Sequence, residues 1–150
     1  MANNVIITNR QALRDYFILE AFEAGIELKG SEIKSIRKRR TNLKEGFARV
    51  EKGEVFLYNL HINPYEFARR DEIDPIRRRK LLLKKKEITY LSGKISEKGL
   101  TLIPLRLYLK RGLAKVEIAL AKGKKFYDKR EALKQKEARR EVDRELRKKR

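Results

Sequence analysis

Short runs of alternating apolar and polar residues, separated by glycine turns, fill the chain as far as Ala121 and then stop. A period of two places successive side chains on opposite faces, which is typical of β-strands with one buried face. The last twenty residues contain only five apolar side chains, too few to build a core. We therefore expect a folded domain over residues 1–121 and a separate tail over residues 122–150.

Glycine and proline positions divide the first 121 residues into elements. We first expect a strand over 16–28, with a bend or bulge at Ala24 and Gly25, and then a helix that starts at 30 with Ser31 as its cap. A hairpin follows, in which 47–50 pairs with 55–60. Next come a helix from Pro75 to Leu91, which Asp74 caps and Gly93 ends, and a three-stranded antiparallel meander over 93–121.

Two strands of the meander carry the clearest alternation. In the first, we expect Ile103, Leu105, Leu107 and Leu109 to face the core; in the second, we expect this of Val116, Ile118 and Leu120, with Lys115 and Glu117 facing outward. Several short strands with glycine turns predict a mainly β protein, a small antiparallel barrel with flanking short helices, because closure removes exposed strand edges.

The charge is strongly positive and densest in the tail. Forty Lys and Arg oppose 21 Asp and Glu, a formal net charge of +19, and residues 122–150 hold 14 of the basic residues. Such a surface attracts polyanions. The tail's apolar seam of Ala138, Val142 and Leu146 cannot offset an ordering cost of about 1–2 kcal/mol per residue. We expect a tail that is disordered when free and helical against a polyanion.

Aromatic residues interleaved with basic ones favour nucleic acid as that polyanion. The stretches 65–70 and 124–130 combine phosphate-neutralising cations with rings that can stack on unpaired bases. For Phe47, Phe56 and Tyr108 we favour burial in the core, whereas Tyr127, surrounded by charge, is better suited to stacking.

Residues that could carry catalysis are sparse. His61 is the only histidine and there is no cysteine. We therefore expect no enzyme, no metal site and no cofactor; the rival is a ribonuclease in which His61 and a carboxylate share proton transfer. The chain also shows neither a secretory signal nor an apolar run of the ~20 residues that cross a bilayer, so we expect a cytoplasmic protein.

Several stretches in a fixed order resemble the small protein B family, the tmRNA-binding proteins of bacterial trans-translation. They are EAGI at 23–26, LKGSEIKSIR at 28–37, RKLLL at 79–83 and GKKFYDKR at 123–130, with NRQA at 9–12 and INPY at 62–65 in support. The resemblance implies an oligonucleotide-binding-type (OB-like) barrel and a tail unstructured alone. It also implies an adaptor that binds the tRNA-like domain of tmRNA and delivers it to stalled ribosomes. There the tail would occupy the decoding centre and the empty mRNA channel of the small subunit.

The resemblance also assigns roles to residues. Glu23, Leu82 and Lys115 match family positions associated with tmRNA binding, and we add Lys34 and Arg37 of the basic run. Glu23 could instead form a salt bridge that supports the barrel, and Leu82 could pack against it. The tail residues expected at the decoding site are Gly123, Lys124, Lys125, Tyr127, Asp128, Lys129 and Arg130.

Three positions depart from the family pattern. Arg39 stands where relatives often have glycine, relatives often have Asn or His near Glu72, and Tyr127 stands where many have His. A basic ribosomal protein, or another protein that binds structured RNA, is the alternative interpretation; the large charge favours a monomer in either case.

Overall fold

Antiparallel pairing joins strands far apart in the sequence and closes them into a barrel. The computed structural model describes residues 4–64, 74–97, 99–124, 133, 136–144 and 146. Within these residues the elements are β1 (Asn4–Thr8), α1 (Arg10–Asp15), β2 (Tyr16–Ile26), α2 (Gly30–Arg37), β3 (Thr41–Asn42), β4 (Phe47–Glu51), β5 (Glu54–Tyr58), β6 (His61–Ile62), β7 (Arg79–Leu82), α3 (Lys85–Ile95), β8 (Leu100–Lys110) and β9 (Leu113–Gly123). Residues 136–144 are helical and exposed throughout.

Six of these strands form the closed ring. The order β8-β4-β5-β7-β2-β9 returns to β8 through the β8–β9 hairpin, and every pairing is antiparallel. β1 pairs with β8 between Thr8 and Asn4, while β4 pairs with β8 only at Ala48, opposite Leu102. β3 and β6 form a separate two-stranded ribbon. The expected mainly β architecture with short flanking helices is confirmed.

The main core lies inside this ring. Ile36 from α2 and Leu91 from α3 are fully buried in the same cluster as Leu57, Leu102 and Val116. Burial of one such side chain contributes about 1.5–3 kcal/mol, so the helices are held chiefly by these contacts. Among the described residues, no helix has both the length and the apolar character needed to span a membrane.

A bulge in β8 places Leu105 and Leu107 on opposite sides of the barrel wall. The register with β9 shifts between Pro104 and Arg106, so odd-numbered residues face opposite sides of the sheet before and after this point. Leu107 joins the main core, whereas Ile103 and Leu105 lie outside the ring, in a second cluster that Ala12 of α1 covers. The expectation that Ile103, Leu105, Leu107 and Leu109 share one face was therefore wrong. The inward positions expected on β9 are confirmed.

The helix expected from Pro75 to Leu91 is also wrong. Arg79 and Leu81 are buried and alternate with Lys80 and Leu82, because this segment is β7, hydrogen-bonded between β5 and β2. α3 begins later, at Lys85, where the backbone amide of Lys84 donates to Glu87 Oε1 at 3.0 Å. It continues through Gly93 to Ile95, so residues 93–121 contain a hairpin and not a three-stranded meander.

Two local details differ as well. α2 is capped by Lys29, whose backbone amide donates to Glu32 Oε1 at 2.8 Å, and not by Ser31. The bulge of β2 falls between Ile18 and Glu20 instead of at Gly25. The β4–β5 hairpin is confirmed, and its turn places Gly53 at a φ of +77°.

Candidate nucleic-acid interface

A single row of paired residues brings two of the expected RNA-binding positions together. Across β7, β2, β9 and β8 the register places Leu82, Gly25, Lys115 and Tyr108 side by side. Leu82 is 48% exposed, so its side chain lies on the surface beside Gly25 instead of inside the core. A Cβ at Gly25 would stand 3.2 Å from the Cβ of Leu82, so the glycine permits this close approach. Leu82 and Lys115 therefore flank one glycine on the outer wall.

Glu23 lies two residues before Gly25 on the same outer face of β2. Its carboxylate accepts hydrogen bonds from the Tyr108 hydroxyl and from Lys110 Nζ, the latter at 3.3 Å. The Tyr108 hydrogen bond, with help from Lys110 and Lys115, lowers the pKa of Glu23, although partial burial opposes this. Burial and the same hydrogen bond raise the pKa of Tyr108. Glu23 is therefore an oriented carboxylate, and the supporting salt bridge considered for it is present.

The neighbouring row balances its own charges. Glu117 of β9 stands opposite Glu23 in the register, and it forms an ion pair with Arg106, its partner on β8. Because each carboxylate has a separate cation, the repulsion between the two across the strands is offset. A shallow depression of about 230 Å³ lies here, lined by Val5, Ala21, Phe22, Glu23, Arg106, Tyr108 and Glu117.

Sequence reasoning missed Tyr108 and Arg106 as parts of this surface. Tyr108 was expected to fill the core, and it is 5% exposed, but its hydroxyl reaches outward to Glu23. The outward parity of Arg106 depends on the β8 bulge. The sequence signal available was the strand's single tyrosine and single arginine among apolar neighbours; their partners could not be read from it.

Lys34 and Arg37 are exposed on α2, which follows β2 directly. Beyond the helix, the Arg39 guanidinium donates to the backbone carbonyls of Val5 and Ile6 at 2.8 and 3.2 Å, which ties this end of α2 to β1. Since Val5 stands opposite Tyr108 in the register, the helix and the paired row belong to the same end of the barrel. Arg39 has a φ of +60°, a conformation that favours glycine.

A buried ion pair holds α2 in this position. Glu32 of α2 accepts hydrogen bonds from Arg79 of β7, with Nε 2.8 Å from Oε2, and from Arg77, with Nη2 2.5 Å from Oε1. Burial opposes ionisation, but the hydrogen bonds from Arg77, the Lys29 amide and Arg79 outweigh it and lower the pKa of Glu32. The exposed cations of α2 therefore stand on an anchored helix.

The start of the tail is placed by β9. Gly123 is the last residue of that strand and pairs with Tyr16, and Lys124 Nζ lies 5.3 Å from the ring centroid of Phe17. Strand pairing thus extends two residues past the expected boundary at 121. Lys125, Tyr127, Asp128, Lys129 and Arg130 lie outside the described residues, as does Glu72.

His61, the residue of the ribonuclease alternative, is half-buried in β6 opposite Asn42. Its backbone carbonyl accepts a hydrogen bond from the Thr41 hydroxyl at 2.8 Å. In the portion of the chain that the structure describes, no three His, Asp or Glu side chains are grouped as metal ligands would be.

Comparisons with known proteins agree on one family. The family model described as SmpB protein matches residues 6–148. An SsrA-binding protein of Caldicellulosiruptor bescii is 61% identical over 145 residues, covering 97% of this chain and 89% of the relative. One of Geobacter sulfurreducens is 56% identical over 149 residues, covering 99% and 97%.

A solved structure gives the same result. It is described as "tmRNA-SmpB: a journey to the center of the bacterial ribosome", with 52% identity and a TM-score of 0.66 over 79% of this chain and 83% of that one. Because the family model and both relatives match nearly the whole length, the chain belongs to the SmpB protein family.

Proposed function

We propose that this protein is a non-catalytic tmRNA-binding adaptor of trans-translation. Its barrel binds the tRNA-like domain of tmRNA and delivers it, in the cytoplasm and as a monomer, to stalled ribosomes. The names of the relatives, the tmRNA complex of the structural neighbour and the net charge of +19 support this role. The observation that carries the proposal is the convergence of Glu23, Leu82 and Lys115, distant in sequence, on one outer face.

The chemistry of that face suits a folded RNA. Lys115 supplies a cation for a backbone phosphate. The Glu23 carboxylate, oriented by Tyr108, can accept hydrogen bonds from base amines or ribose 2′-hydroxyls. Leu82 offers exposed apolar contact beside it. Such a mixture recognises the shape of an RNA as well as its charge. The Glu23 carboxylate repels any phosphate placed against it, so only an RNA whose phosphates lie at Lys115 and away from Glu23 fits this face.

The cations of α2 extend the face. Lys34 and Arg37 are exposed at the same end of the barrel, on a helix held by the buried Glu32–Arg79 pair. Two cations on a rigid element neutralise phosphates at a fixed spacing and so contribute register as well as affinity. We propose that Lys34 and Arg37 contact the phosphate backbone of the RNA next to the segment that Lys115 binds.

The tail has a different task in this proposal. Residues 122 and 123 still pair in β9, and the tail continues beyond them with dense positive charge. The residues that we place at the decoding site are Gly123, Lys124, Lys125, Tyr127, Asp128, Lys129 and Arg130. The tail becomes ordered when it binds the rRNA of the decoding centre and mRNA channel. The barrel does not need the tail in order to bind tmRNA.

Lys115→Ala tests the body's role. Loss of one phosphate contact should weaken tmRNA binding and reduce the salt slope, d log K/d log[salt], by about 0.7–0.9. Lys86→Ala, which removes an exposed cation from α3, is the matched control and should change the slope little. Gel shifts with excess tRNA as competitor over a salt series give both quantities.

An unchanged affinity and slope in Lys115→Ala would remove this face from the interface. Equal binding of tmRNA and tRNA by the parent protein, together with salt-resistant co-purification with assembled subunits, would favour a ribosomal protein instead.

A further inference from the structure

A second group of aromatic and basic side chains lies on the outer face of the β4–β5 hairpin. Phe47 and Tyr58 stand opposite each other in the register, and their rings are stacked with centroids 5.2 Å and planes 8° apart. The Arg49 guanidinium lies over both rings, 5.2 Å from the centroid of Phe47 and 5.8 Å from that of Tyr58. Phe47 and Tyr58 are half-buried and Arg49 is exposed. The stack therefore lies at the surface.

A second cation on a ring extends the group. The Arg78 guanidinium lies 4.0 Å from the ring centroid of Phe56, which stands opposite Arg49 in the register. Arg78 Nη1 also forms an ion pair with Glu51 Oε2 at 2.7 Å. We call Phe47, Arg49, Phe56, Tyr58 and Arg78 the hairpin stack. It presents π-faces and delocalised cations, the two features by which proteins hold unpaired bases.

Arg49 differs from Arg78 in its hydrogen bonding. Within the described part of the chain, the Arg49 side chain makes no hydrogen bond or ion pair, and its guanidinium lies over the two rings. A guanidinium carries five N–H donors, so those of Arg49 are available to a phosphate or to a base acceptor. The side chain is thus held in place by stacking while its donors face outward.

A cleft of about 810 Å³ opens beside Phe47 and Arg49. It exists because β4 and β8 pair at one position only, so the barrel wall parts between them, and α1 and α3 form its sides. Gln11, Ser92 and Thr101 line it and can hydrogen-bond a base edge. Its volume falls within the range of small-molecule pockets, about 300–1,000 Å³.

Two carboxylates decide which part of a nucleotide enters this cleft. Asp15 and Glu45 also line it, and both repel phosphate, whereas they accept hydrogen bonds from base amines. Arg49 of the hairpin stack also lines the cleft, as a single cation against these two carboxylates, whereas Arg78 does not line it. The cleft therefore suits a base edge and the stack suits the backbone and neighbouring bases.

We propose that the hairpin stack and its cleft are a second RNA-contact site, which takes a single-stranded segment with unstacked bases. In the ring order, β5 lies three strands from β9 in either direction, so the site is on the opposite side of the barrel from Lys115. The inference rests on the proposed function in that it gives the adaptor two RNA segments to hold. The source of the segment is tmRNA or ribosomal RNA.

The absence of tryptophan from the chain permits a direct test. Phe47→Trp keeps a stacking ring and makes it the sole tryptophan of the full-length protein. A bound base should quench its fluorescence, since quenching requires stacking within contact distance. Single-stranded oligouridylate should quench, and a blunt RNA duplex of equal charge should not. Tyr90→Trp, on α3, is the matched control and should respond to neither RNA.

Arg49→Gln tests the site without altering a ring. Its affinity for fluorescein-labelled oligouridylate, followed by anisotropy, should fall about tenfold, with an unchanged circular dichroism spectrum. Lys86→Gln removes the same charge from α3 and should lower the affinity by less than twofold. Equal losses in the two variants would show general charge attraction only and would overturn the proposal.

The natural source is found by adding tmRNA and small ribosomal subunits separately to the Phe47→Trp protein. Quenching by tmRNA alone assigns the segment to tmRNA, and quenching that needs the subunit assigns it to ribosomal RNA. No quenching by oligouridylate, tmRNA or subunits would refute the second site. Because tmRNA affinity is measured separately through Lys115, that result would leave the proposed function standing.

Discussion

The buried pair of Glu32 and Arg79 makes a quantitative prediction about stability. Arg79 is fully buried, with Nε 2.8 Å and Nη2 2.6 Å from Glu32 Oε2. Two further donors go to the Leu60 carbonyl and, at 3.3 Å, to the Pro75 carbonyl. One side chain thus joins α2, β7 and the segments that precede β6 and β7.

Arg79→Met keeps most of the buried volume but removes the charge and all four contacts. Glu32 then retains Arg77 and the Lys29 amide, and the two carbonyls lose a donor. Removal of one partner of a buried ion pair costs about 3–5 kcal/mol. For a domain stable by roughly 5–15 kcal/mol, this is a large fraction of the free energy of unfolding. Urea unfolding of the full chain, followed by far-ultraviolet circular dichroism, measures it.

The double variant Arg79→Met, Glu32→Leu separates pairing from packing. With both charges gone, neither a buried carboxylate that has lost one of its two cations nor a buried guanidinium without its carboxylate remains. The double variant should therefore lose less free energy than the sum of the losses in Arg79→Met and Glu32→Leu, by about 2 kcal/mol or more. A loss below about 1 kcal/mol for Arg79→Met, or additive losses in the double variant, would refute the reasoning.

The same pair predicts an acid dependence. Because hydrogen bonds lower the pKa of folded Glu32, the unfolded chain binds more protons in acid. The contribution is complete above the ordinary glutamate pKa of about 4.3 and is lost as the pH falls through the lower folded pKa. Unfolding free energies measured between pH 6 and pH 2 (approximate buffer limits) should fall less steeply for Glu32→Gln than for the parent.

Three further outcomes are expected. Truncation after Lys124, which preserves the pairing of β9, should leave tmRNA affinity nearly unchanged but abolish peptide tagging in a reconstituted translation system; lost RNA binding would contradict the division between body and tail. Tyr108→Phe should raise the pKa of Glu23, read from a carboxyl NMR titration, because the hydroxyl is the main cause of its lowering. Gly46→Ala should destabilise the fold by about 1–3 kcal/mol in urea, because its Cβ would stand 2.9 Å from both the Leu43 carbonyl oxygen and Pro104 Cγ; wild-type stability would show that this backbone and the proline can shift at no cost.

The location of the candidate site depends on contacts between distant parts of the sequence. Glu23, Leu82 and Lys115 could be selected from the family resemblance, but their meeting around Gly25 follows from the β7–β2–β9 pairings. The hairpin stack had no such motif. Phe47 and Phe56 were expected in the core, because an aromatic in a strand is compatible with either face until the strand's partners are known.

The sequence by itself determined the features that depend on neighbours in the chain: antiparallel hairpins at glycine turns, the inward face of β9 and the strongly cationic character. Tertiary structure decided that residues 79–82 form a strand and that Arg79 is buried. A charged side chain is buried only where an oppositely charged partner lies within ion-pair distance, as Glu32 does here. It also decided the bulge that separates Leu105 from Leu107, because register is set by the pairing of whole strands and not by local preference.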